Sequence, residues 1–252
     1  MDTGLKGKVA LVTGGARDTG RSIALALAAE GASVAVNYQH SKADAEATAA
    51  SIRALGSQAN AYQADVTNYA AVRAMVDAIV RDFGRLDVLV NTAGYVQRQR
   101  FLDTTPEDWR KQIDIGLYGV IHCCHAAVPH LAKQGGGRII NLMGDSARVG
   151  ESGLAITAAS RGGVIALTKS LAKELGRNWI TVNAIALGLV ETSHSDPVWI
   201  EANREKILKF YPLRRLGKPD DVAPMAAFLA SAGAGWITGQ VVSISGGFST
   251  VG

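Results

Sequence analysis

Lys8–Gly31 reads KVALVTGGARDTGRSIALALAAEG, and its reading decides the fold. Val9, Ala10, Leu11 and Val12 form an apolar run without polar alternation, the pattern of a strand covered on both faces. Glycines follow at Gly14, Gly15 and Gly20. Then Ile23, Leu25, Leu27 and Ala28 mark a helical apolar face that ends at Gly31, a C-cap glycine. This is an opening βα unit whose turn can hold a phosphate at a helix N-terminus. In such turns one small residue makes the bend, one lets the backbone approach a pyrophosphate, and one lets helix and strand pack closely. Gly14 and Gly20 take the first and third places; Asp18 takes the middle one. A carboxylate about 4 Å from a phosphate charge costs roughly 1 kcal/mol at bulk-water permittivity and roughly 4 at an effective permittivity of 20. Against about 8 kcal/mol for a micromolar ligand, the expectation is a dinucleotide fold whose dinucleotide site is damaged. The alternative is that Asp18 bonds Arg17 or Arg21 and leaves the pocket partly usable.

The 252 residues suffice for one large α/β domain, and we expect a single domain over 1–252. A formal charge of +4 with Lys and Arg scattered along the chain argues against nucleic acid as a partner. Cys123 and Cys124 are adjacent in an apolar helical pattern, which points to buried thiols in a reducing compartment. With no apolar leader and no apolar run of membrane-spanning length, the expectation is a cytoplasmic protein without a membrane partner.

Strand and helix patterns alternate along the chain. Strands are expected at 33–37, 59–63, 86–90, 138–143, 180–185 and 239–244, after the first at 9–12. Between them lie helices at 42–55, after Asn68, at 107–131, at 155–175, at 199–211 and from Asp220 to Leu229, with Ser41 and Asp220 as caps. That alternation predicts a doubly wound, parallel, seven-stranded sheet flanked by helices.

In this order the local sequences resemble the short-chain dehydrogenase/reductase family over nearly the whole chain. Gly14 to Gly20 resembles its glycine-rich turn, with Arg17 beside it. Asp65-Val66 is similar to the pair beside the adenine, and Asn91-Thr92-Ala93-Gly94 to the stretch supporting the sheet. Asn183 to Gly188 with Thr192 resembles the segment flanking the nicotinamide, although Leu187 stands where the family has proline. The resemblance implies a Rossmann-like fold. It also implies that Gly14, Arg17, Asp18, Gly20, Asp65, Asn91, Gly94 and Thr192 are the vestiges of a cofactor site that this chain has lost.

Four positions carry the family's chemistry, and all four differ. By the surrounding motifs, Thr157 stands for the tyrosine, Arg161 for the lysine, Gly144 for the serine and Gly116 for the helix asparagine. A phenol begins near pKa 10, whereas an aliphatic hydroxyl is far less acidic, and arginine holds its proton in essentially every setting. Gly144 offers no hydroxyl to polarise a carbonyl, and Gly116 nothing to anchor a relay water. The expectation is that none of the four is catalytically functional.

The segments that assemble subunits in this family are kept. The chain therefore resembles the silent subunit of a two-subunit dehydrogenase, as in anaerobic toluene breakdown, where such a pair oxidises 2-(hydroxybenzyl)succinyl-CoA with NAD. That resemblance implies a homologous, catalytically competent partner in a hetero-tetramer. NAD would be held by the partner, none by this chain, and an acyl-CoA would lie near the interface. Two further readings stay open: a non-redox enzyme resembling halohydrin dehalogenases, and a homomeric ligand-binding or regulatory protein.

Other polar residues are secondary. Asp145, Ser146 and Arg148 follow the fifth strand, as an ordinary charged surface loop or as a remodelled ligand site. His122, His125 and His130 lack the spacing of a metal set, so no metal is expected. Trp109, Trp179, Trp199 and Trp236 are expected to pack in the core or at an interface.

Overall fold

The computed structural model describes residues 2–251; Met1 and Gly252, the ends of the expected 1–252 domain, lie outside them. Seven strands form one sheet: β1 (Val9–Thr13), β2 (Ser33–Tyr38), β3 (Ala59–Gln63), β4 (Val88–Asn91), β5 (Gly137–Gly144), β6 (Ile180–Leu187) and β7 (Val241–Ile244). Their order is β3-β2-β1-β4-β5-β6-β7, and every pairing is parallel. The doubly wound Rossmann-like sheet expected from the alternating pattern is the fold observed.

Period-two geometry explains the continuous apolar runs, because successive side chains enter opposite cores. On β1, Ala10 and Val12 join one cluster with α1 (Asp18–Ala29), α2 (Lys42–Ala54) and α9 (Pro219–Ala230). Val9 and Leu11 join the other, with α3 (Tyr69–Phe83), α5 (Gly119–Lys133) and α7 (Ala155–Leu175). The sheet order reverses between β1 and β4, and a crevice at such a switch point receives ligands in this class of fold.

Several local expectations are corrected. The helix read as continuous over 107–131 is α4 (Pro106–Ile113), a π-helical turn (Asp114–Tyr118) and then α5. Close packing favours glycine along this stretch: a β-carbon at Gly116 would come 2.6 Å from Ser160 Oγ, and one at Gly119 2.8 Å from Val66 Cγ2. The stretch Pro106–Lys133 is long and apolar enough, by length and composition, to cross a membrane, contrary to the sequence reading. Its Val120, Cys123, Ala127 and Leu131 nevertheless pack into the core against the sheet.

Caps divide likewise. Asn68 accepts from Ala71 N–H, and Thr105 and Asp108 cap α4 reciprocally. Ser41 makes no side-chain cap, and Asp220 lies inside α9 rather than before it. The α9 entry is held instead by Asp221, which accepts from Lys218 N–H at 2.7 Å and from both terminal nitrogens of Arg215 at 2.6 Å. The polar connection after β5 contains a short helix, α6 (Ser146–Val149), and the lid segment forms α8 (Pro197–Leu208). All four tryptophans are exposed, Trp236 almost fully at 96%, so none belongs to the core of this chain.

Candidate active site and nucleotide cleft

The glycine turn is built as the motif requires. Gly14 sits at φ 59°, and a β-carbon at Gly20 would lie 2.2 Å from Gly14 O, so glycine is obligatory where α1 meets β1. Asp18 sits at φ 49°, in the left-handed region that glycine enters freely and aspartate tolerates. Its carboxylate bonds neither Arg17 nor Arg21. It accepts from Ser193 N–H and Ser193 Oγ, each at 2.7 Å, and so ties the turn to the loop after β6. Arg17 Nη2 lies 3.3 Å from His194 Nε2, on the same loop. Two donors thus partly satisfy the charge that was expected to face a pyrophosphate.

The other positions that the sequence offered for a cofactor lie at or just after the carboxyl ends of β3, β4 and β6. Thr13 Oγ1 accepts from Thr92 N–H at 3.0 Å and Ala93 N–H at 3.2 Å, which fixes the start of the segment ending at Gly94. Asn91 Nδ2 donates to Asn141 Oδ1 at 2.8 Å, and Asn141 Nδ2 to Thr168 Oγ1 at 2.9 Å, a buried chain from β4 through β5 to α7. Asp65 accepts from Thr67 N–H and Oγ1 at 2.8 Å and from Gln39 Nε2 at 2.7 Å. Thr192 N–H donates to Ser195 Oγ at 2.9 Å. Asn37 is buried and spent within the fold, accepting from Gly14 N–H and donating to Ala64 O. These residues fit a dinucleotide: the turn has the shape, the helix N-terminus faces it, and the Asp18 charge is bonded to Ser193.

The four chemistry positions come from the π-helical turn (Gly116), β5 (Gly144) and α7 (Thr157 and Arg161), and α4 packs against them through Gln112. Thr157 is buried, and its hydroxyl donates to Gln112 Oε1 at 2.5 Å. Ser160, one turn farther along α7, donates to Gln112 O at 3.3 Å. Gln112 is the residue sequence reasoning missed; its only signal was a polar side chain on the inner face of a helix. Thr157 thus joins α7 to α4, its hydroxyl hydrogen given to an amide.

Arg161 reaches the end of β5. A β-carbon at Gly144 would lie 2.2 Å from Arg161 Nη1 and 3.5 Å from Ser146 Oγ. The guanidinium fills the space that any side chain at 144 would need, and the two substitutions explain one another. Burial lowers its pKa to about 10, opposed by Glu151, so it stays protonated at neutral pH.

The segment after β5 is not an ordinary surface loop. Asp145 is fully buried; it accepts from Arg148 Nη1 at 3.3 Å and from Ser243 Oγ. The histidines serve local contacts: His122 Nδ1 lies 2.9 Å from Val66 O, and His125 Nδ1 2.7 Å from Tyr69 OH.

Comparison with known proteins bears directly on these positions. The family described as enoyl-(acyl carrier protein) reductase matches residues 14–249. The chain is 45% identical over 240 residues to the 3-oxoacyl-[acyl-carrier-protein] reductase FabG of Staphylococcus aureus, covering 95% of this chain and 97% of that one. It is 42% identical over 246 residues to the 3-oxoacyl-[acyl-carrier-protein] reductase of Synechocystis, covering 97% and 98%. The crystal structure of a dehydrogenase/reductase from Sinorhizobium meliloti superposes with a TM-score of 0.91 at 33% identity, covering 98% and 96%.

These similarities correct the functional expectations drawn from the four substitutions. Full-length identity above 40% to proteins named as reductases overturns the silent subunit of a toluene-derived acyl-CoA dehydrogenase. It also displaces the halohydrin dehalogenase-like and regulatory alternatives. A cofactor held only by another chain does not stand either, because the family match takes in the whole glycine turn from Gly14 and that turn keeps its geometry. The hetero-tetramer with a competent homologue rested on this chain lacking chemistry, and it falls with that premise. Neither the match nor the superposition changes which residues occupy 116, 144, 157 and 161. By sequence and architecture, the chain belongs to the enoyl-(acyl carrier protein) reductase family, within the short-chain dehydrogenase/reductases.

Proposed function

We propose that this chain, as one domain over 1–252, is an NAD(P)-dependent cytoplasmic oxidoreductase acting on a carbonyl of a 3-oxoacyl type of substrate. The observation that carries the reading is the phosphate turn, where Gly14 at φ 59° and the obligatory Gly20 cradle the N-terminus of α1. The names of the Staphylococcus and Synechocystis relatives support the substrate class. Cys123 and Cys124, buried and unpaired with their thiol pKa values pushed up by burial, suit a reducing compartment.

Gly14, Arg17 and Gly20 would hold the diphosphate, with Asp65 at the adenine end and Asn91, Gly94 and Thr192 toward the nicotinamide. When bound, the nicotinamide supplies or accepts a hydride. Thr157 contributes structure, since its hydroxyl is committed to Gln112. Gly144 and Gly116 contribute space. Arg161 is the charged group at the centre, and a guanidinium there stabilises negative charge on an oxygen placed beside it.

The test is reduction of acetoacetate and of an acetoacetyl thioester by the purified chain, followed at the nicotinamide absorbance with NADPH and NADH separately. Turnover with one nucleotide bound per chain is the expected result. Absence of both binding and turnover overturns the reading.

A further inference from the structure

Arg161 is half-buried and makes no hydrogen bond and no ion pair with any described residue, and burial lowers the pKa of its guanidinium. The nearby acids are already engaged. Glu151 pairs with Arg98, while Asp145 is bonded to Arg148 and Ser243. An uncompensated cation partly withdrawn from water is costly to a fold, and an arriving anion relieves that cost. Ser146 adds an independent sign: it is 5% exposed, and its Oγ has no hydrogen-bond partner. Both groups face one spot, since the β-carbon position above Gly144 lies 2.2 Å from Arg161 Nη1 and 3.5 Å from Ser146 Oγ. Glycine at 144 leaves that space to Arg161 Nη1, which stands there beside the Ser146 hydroxyl.

We infer that Arg161 and Ser146, converging over Gly144, form a receptor for a carboxylate, so that the substrate carries a free acid group. A planar guanidinium with paired N–H donors matches a carboxylate's two oxygens, and a neutral carbonyl presents one. The serine hydroxyl supplies a second donor at an angle the guanidinium cannot cover. As a statement about the substrate, the inference rests on the oxidoreductase reading, and it narrows the 3-oxoacyl class to 3-oxo acids and their like.

The probe is acetoacetate against its methyl ester, titrated calorimetrically into the full chain at constant ionic strength set with sodium chloride. The acid is expected to bind at least tenfold more tightly than the ester. In Arg161→Gln that preference disappears, in Arg161→Lys part of it remains, and in Ser146→Ala the acid binds several-fold more weakly. Gly144→Ala, whose methyl displaces Nη1, also loses the preference while keeping the arginine. Removing the unpaired charge in Arg161→Gln raises the melting temperature of the ligand-free protein, a readout independent of turnover. Equal binding of acid and ester by the wild type, or an unchanged preference in Arg161→Gln, overturns the receptor. Nucleotide titration of the same samples separates the two claims. Nucleotide binding without acid preference refutes the receptor and leaves the oxidoreductase reading standing, and the reverse result refutes the oxidoreductase reading alone.

Discussion

Asp18 receives both the backbone N–H and the hydroxyl of Ser193 on its carboxylate oxygens at 2.7 Å, so the phosphate turn and the loop after β6 are joined by one side chain. The contact explains how an acid occupies the middle of a pyrophosphate-binding turn in a chain whose full-length relatives are named as reductases. It leaves a negative charge near the phosphates, but one held by two donors. Replacing Asp18 with glycine removes that charge and the left-handed strain at φ 49°. A gain between about 1 and 4 kcal/mol corresponds to a roughly fivefold to thousandfold tightening of nucleotide binding. Calorimetry of Asp18→Gly and Asp18→Asn checks this, with glycine expected to bind more tightly than the wild type. The loop around Ser193, freed from its partner, should be cut sooner by a protease in the glycine variant. Weaker binding in both variants would show that the bond to Ser193 matters more than the charge.

Gly20→Ala is predicted to be far more damaging. Its β-carbon would lie 2.2 Å from Gly14 O and 2.9 Å from Thr92 Oγ1, and the first is backbone that cannot step aside. Overpacking of this kind costs about 1–3 kcal/mol or more. Thermal unfolding should show a marked loss of stability, with nucleotide binding lost. A variant with normal binding would contradict the geometry of the turn.

Thr157→Ala tests whether that hydroxyl is structural. Its loss leaves Gln112 Oε1 buried without the donor it has at 2.5 Å, at a cost of about 1–3 kcal/mol. For a chain of this size that is a fall of several degrees in melting temperature, at about 2–4 °C per kcal/mol. Turnover per folded molecule should remain at the wild-type level. A collapse of kcat with unchanged stability would place Thr157 in the chemistry instead.

The sequence patterns revealed the parallel seven-stranded sheet and the glycine turn, because buried strands and their punctuating glycines are locally encoded. Ala10 and Val12 on one face of the sheet, with Val9 and Leu11 on the other, follow from period two alone. Long-range pairings were hidden. Nothing near Asp18 announces Ser193, which is 175 residues away, and nothing near Gly144 announces the guanidinium of Arg161. Reading each substitution separately made Gly144 and Arg161 look like two losses. In space they are one change, since the glycine makes room for the arginine. The role of Gln112 was hidden for the same reason, its hydrogen bonds running from α4 to Thr157 and Ser160 on α7, more than forty residues along the chain.

Acid should loosen the entry to α9. Two hydrogen bonds from Arg215, aided by Lys218 N–H, lower the Asp221 pKa to about 2 from an ordinary 3.8. A carboxylate with a depressed folded-state pKa contributes stability above its unfolded pKa and loses it as pH falls through the folded value. Stability from this pair is therefore present above pH 4 and lost between about pH 4 and pH 2. Melting temperatures across that window should fall less in Asp221→Asn than in the wild type. Parallel curves for the two proteins would show that the pair contributes nothing to folding.

The most direct measurement is a calorimetric titration of NADPH and NADH into the purified chain alone, with turnover of acetoacetate and of an acetoacetyl thioester assayed on the same sample. The predicted result is one nucleotide per chain and reduction that requires no second protein. No heat of binding from either nucleotide, in a sample shown to be folded, would contradict it.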